Sequence, residues 1–247
     1  MLEQVHFATQ YLAMAGKSFL VPKQDDSHTN VGFNTLNQCF ETWPINDAGT
    51  KLNLDLNAFA LKWTGNSQTM IVLDGKTHDE VVKILSESSK RVGMAQAYQF
   101  DLHYELPFSW NGKYTFELKN SDVLNEISRL RTLANSVLHT FLDQERLTAH
   151  IRIWPHHFDT GAFVVLNTIS GKSVGLGMAT PDTMVDDHYF YFSGYQGHDS
   201  IATSNFKNLS LGDWKNEGFK GAILPASNVS GAQAVQFFQE ALDQYLT

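Results

Sequence analysis

The segment from Ser121 to about Arg146 limits most strongly how this 247-residue chain can fold. Its apolar residues recur every three or four positions without a break, which is the spacing of one face of an α-helix. Most of the stability of such a helix comes from packing, so the sequence predicts a long helix that is covered along its length. The stripe consists of Val123, Ile127, Leu130, Ala134, Val137 and Phe141, beside Leu124, Leu133 and Leu138.

Three further helices are predicted from local signals. Helical spacing near the start predicts a helix over about residues 2–15 that ends at Gly16. Thr77 and Glu80 have the spacing of a capping box, in which each side chain accepts a hydrogen bond from the other residue's backbone amide. A helix is therefore expected to begin at Thr77 and to stop at Gly93. The last predicted helix covers about residues 230–246.

Strand signals occur in both halves of the chain. The stretch from Pro22 to Asn57 is predicted to be mostly irregular, whereas Leu52–Ala60 and Thr69–Leu73 are predicted to form two adjoining strands. Strict alternation from Tyr98 to Leu106 predicts another strand, which Pro107 ends. Five more are expected in the second half, at residues 149–153, 162–167, 173–178, 189–195 and 219–224.

These elements together predict an α+β fold. Consecutive strands with short connections favour antiparallel pairing. We therefore expect a mostly antiparallel or mixed sheet packed against the long central helix, with helices at both ends of the chain. No Pro/Gly/Ser-rich linker or charge block divides the sequence. The prediction is a single domain over residues 1–247, with two lobes of about residues 1–110 and 111–247 as the alternative.

Composition restricts the class of protein. The chain has 18 Lys and Arg against 26 Asp and Glu, a formal net charge of −8, which excludes a strongly basic nucleic-acid-binding surface. Its apolar stretches are shorter than the roughly 18–20 residues that cross a bilayer. The single cysteine, Cys39, has no partner in the chain and fits a reducing compartment. A cytoplasmic protein without a membrane or nucleic-acid partner is expected, and no oligomeric state is predicted.

Two motifs that would indicate nucleotide binding or covalent catalysis are incomplete or absent. Gly171-Lys172-Ser173 resembles the end of a phosphate-binding P-loop, but Leu166 stands where the first glycine of that motif is required. No G-x-S-x-G nucleophile motif occurs in the chain. The sequence therefore does not support nucleotide binding or covalent catalysis.

The densest polar cluster is Trp154-Pro155-His156-His157-Phe158-Asp159. If this stretch is extended, His157 and Asp159 share one face, while Trp154, His156 and Phe158 share the other. A carboxylate beside a histidine orients the ring and stabilises its protonated form, as a general base or a metal ligand requires. The alternative interpretation is that His157 and Asp159 satisfy each other, or turn amides, at the end of a strand.

Two further features are candidates for the same site. Asp182 precedes Asp186-Asp187-His188 on a turn, and carboxylates with an imidazole are metal-ligand types; an exposed acidic turn is the alternative. Tyr189, Tyr191 and Tyr195 fall on one face of a predicted strand. Their hydroxyl groups could line a pocket for an organic ligand, or the rings could belong to the core.

Four motifs together resemble a family of uncharacterised bacterial proteins with a W-P-H-H-F-D signature. They are His28-Thr29-Asn30-Val31-Gly32-Phe33, Trp154–Asp159, Pro181-Asp182 with Tyr189-Phe190-Tyr191, and Gly218-Phe219-Lys220-Gly221-Ala222-Ile223-Leu224-Pro225-Ala226-Ser227. The resemblance implies a bacterial origin and a domain of unknown function. A more distant family is similar but has W-G-S-F-D at the signature. Trp154, Phe158 and Asp159 match both families, whereas the two histidines match only one. The acid is therefore the common polar residue, and this comparison favours Asp159 as an acceptor of backbone hydrogen bonds.

Three hypotheses follow for function. The first is an enzyme acting on a small molecule, such as a metal-assisted hydrolase, with His157 as base or ligand, Asp159 orienting it and His156 beside it. The second is a non-catalytic protein that binds a small ligand in the same concavity. The third is a structural or interaction module in which the signature is architectural. A divalent metal is compatible with the first hypothesis but is not required. The ligand-contacting residues would be His28, Asp182, Tyr191 and Trp154.

Overall fold

The computed structural model of the protein describes residues 1–65 and 69–246. It confirms the α+β class, with four helices and two antiparallel sheets of five and seven strands. The chain forms two compact units, residues 1–132 with 153–156 and residues 133–152 with 157–247. Whether the chain is a single domain or has lobes of about residues 1–110 and 111–247 stays a prediction.

The first unit is built on a five-stranded meander in which each strand pairs with the next in the chain. A long helix and a short 3₁₀ helix precede the sheet, and a second α-helix follows it. The elements in chain order are α1 (Leu2–Phe19), the 3₁₀ helix (Ser27–Thr29), β1 (Gly32–Asn34), β2 (Cys39–Glu41), β3 (Leu52–Asp55), β4 (Ala60–Trp63), β5 (Met70–Val72) and α2 (His78–Arg91).

The first 60 residues differ from the prediction in three ways. Helix α1 continues past Gly16, whose added Cβ would lie 2.5 Å from the carbonyl oxygen of His28. Gly16 therefore permits a close approach of the 3₁₀ helix and does not end α1. The segment expected to be mostly irregular contains β1 and β2. The single strand predicted over residues 52–60 is a hairpin, because the chain turns at residues 56–59.

The strand predicted over Tyr98–Leu106 was wrong, since the structure assigns no strand to these residues. The alternation of less and more exposed side chains is nevertheless present along them. Side chains of the helices bond to this backbone. Lys17 Nζ donates to the carbonyl of Asp101 (2.7 Å), Ser18 Oγ donates to that of Gln99 (3.1 Å), and Ser86 Oγ donates to that of Tyr98 (3.0 Å).

The capping box at the start of α2 is confirmed. The hydroxyl of Thr77 accepts from the Glu80 amide at 3.3 Å, and the Glu80 carboxylate accepts from the Thr77 amide at 2.8 Å. The cap places His78 in an aromatic cluster, where its Nδ1 lies 3.0 Å from the Tyr11 hydroxyl. Burial lowers the pKa of His78 below its usual value. The ring of Phe7 belongs to the same cluster. Besides Tyr11 and His78, the rings around it are Phe100, Phe108, Trp110, Tyr114 and Phe116.

The second unit combines two helices with most of a seven-stranded sheet. The long helix α3 (Asp122–Gln144) is confirmed and contributes its residues from Leu133 onward. The strand order is β11-β12-β9-β8-β7-β6, with β10 paired to β9. The elements are β6 (Arg152–Trp154), β7 (Asp159–Asn167), β8 (Lys172–Ala179), β9 (Tyr189–Gln196), β10 (Asp199–Ser200), β11 (Asp213–Lys215), β12 (Gly221–Pro225) and α4 (Gly231–Leu246).

One face of this sheet packs against the helices. Phe192 lies 6.1 Å from Phe141 of α3 and 6.1 Å from Phe238 of α4, measured between ring centroids. Gly194, on the same face, leaves room for the ring of Tyr245, which would lie 2.2 Å from an added Cβ. The five strands predicted for the second half and the last helix are confirmed to within a few residues, whereas β10 and β11 were not predicted.

The lowered pKa of His78 predicts an acid-sensitive first unit. Because the unfolded histidine has a pKa near 6.5, the unfolded chain binds more protons than the folded one as the pH falls below that value. The stability contributed by neutral His78 is therefore present above pH 6.5 and is lost as the pH falls through the folded pKa. We expect His78→Gln, which keeps an acceptor for Tyr11, to flatten the acid side of the stability profile measured by urea unfolding from pH 5 to 8. The exposed His198→Gln is the control, and a profile of His78→Gln that still falls like the wild type would contradict this.

Candidate functional site

The signature Trp154–Asp159 forms a tight hairpin turn, so the extended conformation assumed for it was wrong. Strand β6 ends at Trp154, β7 begins at Asp159, and residues 155–158 form the turn. Phe158 is in the left-handed region (φ 61°), which costs a non-glycine residue roughly 1–2 kcal/mol. Its fully buried ring offsets that cost. The turn between β3 and β4 is built in the same way, with a buried Phe59 at φ 44°.

The part of the signature that belongs to the first unit is held by α1. The Pro155 carbonyl is contacted by His6 Nε2 and accepts from Gln10 Nε2, both at 2.8 Å. Gln10 in turn accepts from the Tyr104 hydroxyl at 2.7 Å. The ring of His156 packs beside that of Tyr104, with 5.6 Å between centroids. These contacts give His156 a packing role within the first unit.

His28 and Trp154 also belong to the first unit. His28 lies in the 3₁₀ helix, where it is buried and its Nδ1 accepts from the Lys23 amide at 3.2 Å. Its backbone carbonyl is the group that approaches Gly16. Trp154 is half-buried at the end of β6. His28 therefore stabilises its own loop through its ring nitrogen.

The remaining predicted site residues belong to the second unit, and two of them are in contact. Asp159 is 8% exposed, and its Oδ2 accepts a hydrogen bond from the Tyr191 hydroxyl. Burial first, and then the charge of Asp159, raise the pKa of Tyr191 well above its usual value. His157 is exposed in the turn two residues before Asp159. The hydrogen-bond partner of Asp159 Oδ2 is thus a phenol, and a backbone or histidine partner for Asp159 stays a prediction.

Asp182 forms a second tyrosine–carboxylate pair. Its Oδ1 accepts from the amides of Met184 (2.7 Å) and Val185 (3.1 Å), and its Oδ2 accepts from the Tyr189 hydroxyl at 2.7 Å. Burial and the bond to Asp182 raise the pKa of Tyr189, to which the charge of Asp159 also contributes. The carboxylate of Asp182 itself is exposed and holds a turn. Asp159 and Asp182 are therefore both linked to neighbouring tyrosines of β9.

The second face of β7, β8 and β9 is rich in tyrosine and glycine, and we call it the tyrosine face. The antiparallel register places Gly177 opposite Tyr191 and Gly175 opposite Ser193. It also places Phe163 opposite Gly175. The face consists of Asp159, Gly161, Phe163 and Val165 of β7, Ser173, Gly175, Gly177 and Ala179 of β8, and Tyr189, Tyr191, Ser193 and Tyr195 of β9.

The two glycines of β8 allow the tyrosines of β9 to lie across that strand. A Cβ added to Gly177 would lie 2.8 Å from the Tyr191 hydroxyl and 2.4 Å from the Thr160 carbonyl oxygen, so a side chain is excluded there. At Gly175 an added Cβ would lie 3.6 Å from Tyr195 Cε2, an ordinary contact. The Gly-x-Gly pattern therefore serves the packing of tyrosines.

Phe163, Gly175 and Tyr195 adjoin on the tyrosine face, and we call this surface the notch. The rings of Phe163 and Tyr195 are 6.2 Å apart between centroids and are inclined at 42°. Phe163 is 51% exposed and the adjacent Val165 is 55% exposed. Ser193 Oγ donates to the Gly175 carbonyl (3.3 Å) and lies 3.0 Å from the Tyr195 hydroxyl. Sequence analysis did not identify Phe163 and Val165. Their alternate positions in β7 place both side chains on the tyrosine face, but this becomes informative only once the pairing of β7 with β8 is known.

A concavity lies between α3 and α4 and has a volume of about 460 Å³. Its lining contains no ionisable side chain and consists of Ser136, Val137, Thr140, Gln144, Gly231, Ala232, Val235 and Gln239. It offers neither an aromatic ring nor a charge for a ligand.

The sequence left a divalent metal possible without requiring one, and the residues that the structure describes do not assemble a ready-made centre for it. Among residues 1–65 and 69–246, no three His, Cys, Asp or Glu side chains come together in a group that could hold a metal ion. Within the same residues, none of the helices is long and apolar enough to cross a membrane. Comparisons with models of protein families, with curated proteins and with solved structures return no match. The resemblance to the W-P-H-H-F-D family therefore stays a prediction.

The two tyrosine–carboxylate pairs predict different responses to the loss of one hydroxyl. Tyr191→Phe removes a hydrogen bond to the buried carboxylate of Asp159, and we expect it to lower the free energy of unfolding by about 1.5–3 kcal/mol. Tyr189→Phe should cost less than about 1 kcal/mol, because water can replace the hydroxyl at the exposed Asp182. Chemical denaturation of both variants measures the difference, and equal losses would contradict the assignment of Asp159 as the buried partner.

Proposed function

We propose that the protein is a non-catalytic binding protein for a small organic ligand, which it holds in the notch of the tyrosine face. The observation that carries this proposal is the half-exposed ring of Phe163 facing Tyr195 across a strand position without a side chain. Contiguous exposed apolar groups mark binding surfaces more often than scattered ones do. A ligand that covered them would remove apolar area from water.

Polar groups at the edge of the notch would orient such a ligand. Ligand sites typically combine apolar walls with a few hydroxyl or amide groups. The Tyr195 hydroxyl and the Gly175 carbonyl meet at Ser193 and supply such groups. The backbone of the notch is that of three paired strands, so little conformational entropy would be lost on binding.

The notch predicts a ligand response that depends on Phe163. We expect at least one class in a panel of ring compounds, glycosides and small amines to raise the melting temperature through preferential binding to the folded state. The shift should be lost in Phe163→Ala and reduced in Gly175→Ala, whose added methyl group the structure accommodates while it fills the notch.

The matched control is Ile169→Ala, which removes an apolar side chain that is 98% exposed from the loop between β7 and β8. It should keep the shift. A panel in which every compound leaves the melting temperature unchanged, or a shift that survives in Phe163→Ala, would overturn the proposal.

A metal-assisted hydrolase at the signature is the second candidate. The exposed His157 two residues before the buried carboxylate of Asp159 favours it, because an accessible imidazole can act as a base or ligand. This candidate predicts that EDTA lowers the melting temperature of the purified protein and that His157→Ala abolishes the effect while leaving the stability of the metal-free protein nearly unchanged. An unchanged melting temperature in EDTA would contradict the metal-dependent mechanism.

A further inference from the structure

We infer that two copies of the protein pair through the edge strand β5 (Met70–Val72) and so join their five-stranded sheets into one. Three properties of β5 carry this inference, which is independent of the notch on the other sheet. They are the direction of its backbone groups, the extent of the edge that is left open, and the match of its register to a second copy of itself.

The backbone of β5 directs the N–H and C=O groups of two residues away from its own sheet. Leu73 N–H donates to the Phe59 carbonyl at 3.0 Å, so Leu73 faces the neighbouring strand β4. Because bonded and non-bonded pairs alternate along an antiparallel ladder, Ile71 also faces β4, whereas Met70 and Val72 face outward. Among the residues that the structure describes, no hydrogen bond is made to these outward groups.

The side chains of the same two residues are apolar and accessible to solvent. Met70 is 57% exposed and Val72 is 42% exposed, whereas Ile71 between them is buried on the opposite face. β5 contains neither a charged residue nor a proline, which natural edge strands use to prevent pairing. An uncharged apolar edge with outward backbone groups is a template for another strand.

Two other sheet edges are covered or charged. Val31, directly before β1, exchanges two backbone hydrogen bonds with Ile153 of β6, at 3.0 and 2.7 Å. On β11, Asp213 and Lys215 carry charges, and the Thr203 hydroxyl donates to the Lys215 carbonyl at 3.1 Å. The edge at β5 differs from both of these edges because it is apolar and its outward groups are open.

The open part of the edge ends where another segment of the chain begins to cover it. Gly75 N–H donates to the Phe116 carbonyl (2.8 Å), and Phe116 N–H donates to the Lys76 carbonyl (3.0 Å), so the segment before α3 lies beside the residues that follow β5. The last contact of that segment is at Leu118, whose N–H donates to the Asp74 carboxylate at 2.8 Å. The row beside β5 therefore accepts a strand of only about three residues.

A second copy of β5 has this length and the complementary register. With a two-fold axis at Ile71, Met70 of each copy lies opposite Val72 of the other, and each such pair exchanges two backbone hydrogen bonds. The exposed side chains of Met70 and Val72 then contact each other across the two copies. A two-fold interface uses the same patch twice, so β5 supplies its own complement. Its small size is typical of a weak, concentration-dependent dimer.

The test follows association and amide exchange over one range of protein concentration. Sedimentation equilibrium from roughly 0.02 to 1 mM, the range of weak complexes, should show a monomer–dimer equilibrium. Over the same range, hydrogen exchange measured by NMR should slow at the amides of Met70 and Val72 as the concentration rises. The amide of Ile71 faces β4 and is the internal control, which should change much less.

Variants of the outward residues should weaken the dimer. Val72→Pro removes an outward N–H from each copy without removing a bond to β4, and we expect it to weaken association at least about tenfold. Val72→Lys introduces a charge of the kind that protects natural edge strands, and it should also weaken association if the proline variant does not fold. The matched control is Leu36→Lys in the turn between β1 and β2, where Leu36 is 89% exposed, and it should leave association unchanged.

Three results would overturn the inference. The first is a monomer throughout the range, with exchange at Met70 and Val72 that does not depend on concentration. The second is a dimer that keeps its affinity in Val72→Lys, because its interface would then lie elsewhere. The third is slow exchange of both amides at the lowest concentration, which would show that the chain itself covers the edge. None of these results bears on ligand binding at the notch.

Discussion

The alternation of large and missing side chains along β8 determines both faces of the seven-stranded sheet. Val174, Leu176 and Met178 are fully buried on one face, where the phenylalanines of β9 meet the helices. Gly175 and Gly177 occupy the other face and give the tyrosines of β9 a surface on which to lie. Because successive side chains of a strand point to opposite faces, the backbone of β8 supports both the core and the tyrosine face. The helix-bearing core and the tyrosine face are therefore two consequences of one strand.

Local patterns predicted the elements that local interactions stabilise. The stripe of α3 and the capping box at Thr77 are confirmed because the residues that produce each signal lie within a few turns of one another. The alternation at Tyr98–Leu106 gave a wrong strand, since alternate burial requires only a surface to lie on, whereas a strand also requires a neighbouring ladder. Gly16 was misassigned for a similar reason, because its neighbour, the His28 carbonyl, is distant in sequence.

The candidate site was only partly predictable. Asp159, Tyr191 and Asp182 were identified by residue type, but their partners depend on which strands pair, and the sequence did not give the register of β7, β8 and β9. The face shared by His157 and Asp159 was inferred from an extended backbone, which the left-handed Phe158 does not permit. Phe163 was not identified for the same reason as the two tyrosine–carboxylate pairs. An exposed apolar residue becomes notable only when its neighbours across the sheet are known.

The two glycines of β8 explain why a buried pair and a half-exposed aromatic pair occur on one face. At Gly177 the space of a side chain is filled by Tyr191, whose hydroxyl is fixed by the carboxylate of Asp159. At Gly175 the ring of Tyr195 lies at ordinary contact distance and its hydroxyl is bonded to Ser193, and the neighbouring ring of Phe163 stays half-exposed. The carboxylate of Asp159 loses its solvation when it is buried beside Tyr191, and the hydrogen bonds of Asp159 must offset that loss. The pair of Tyr191 and Asp159 thus fixes one end of the tyrosine face, beside the solvent-accessible rings of the notch.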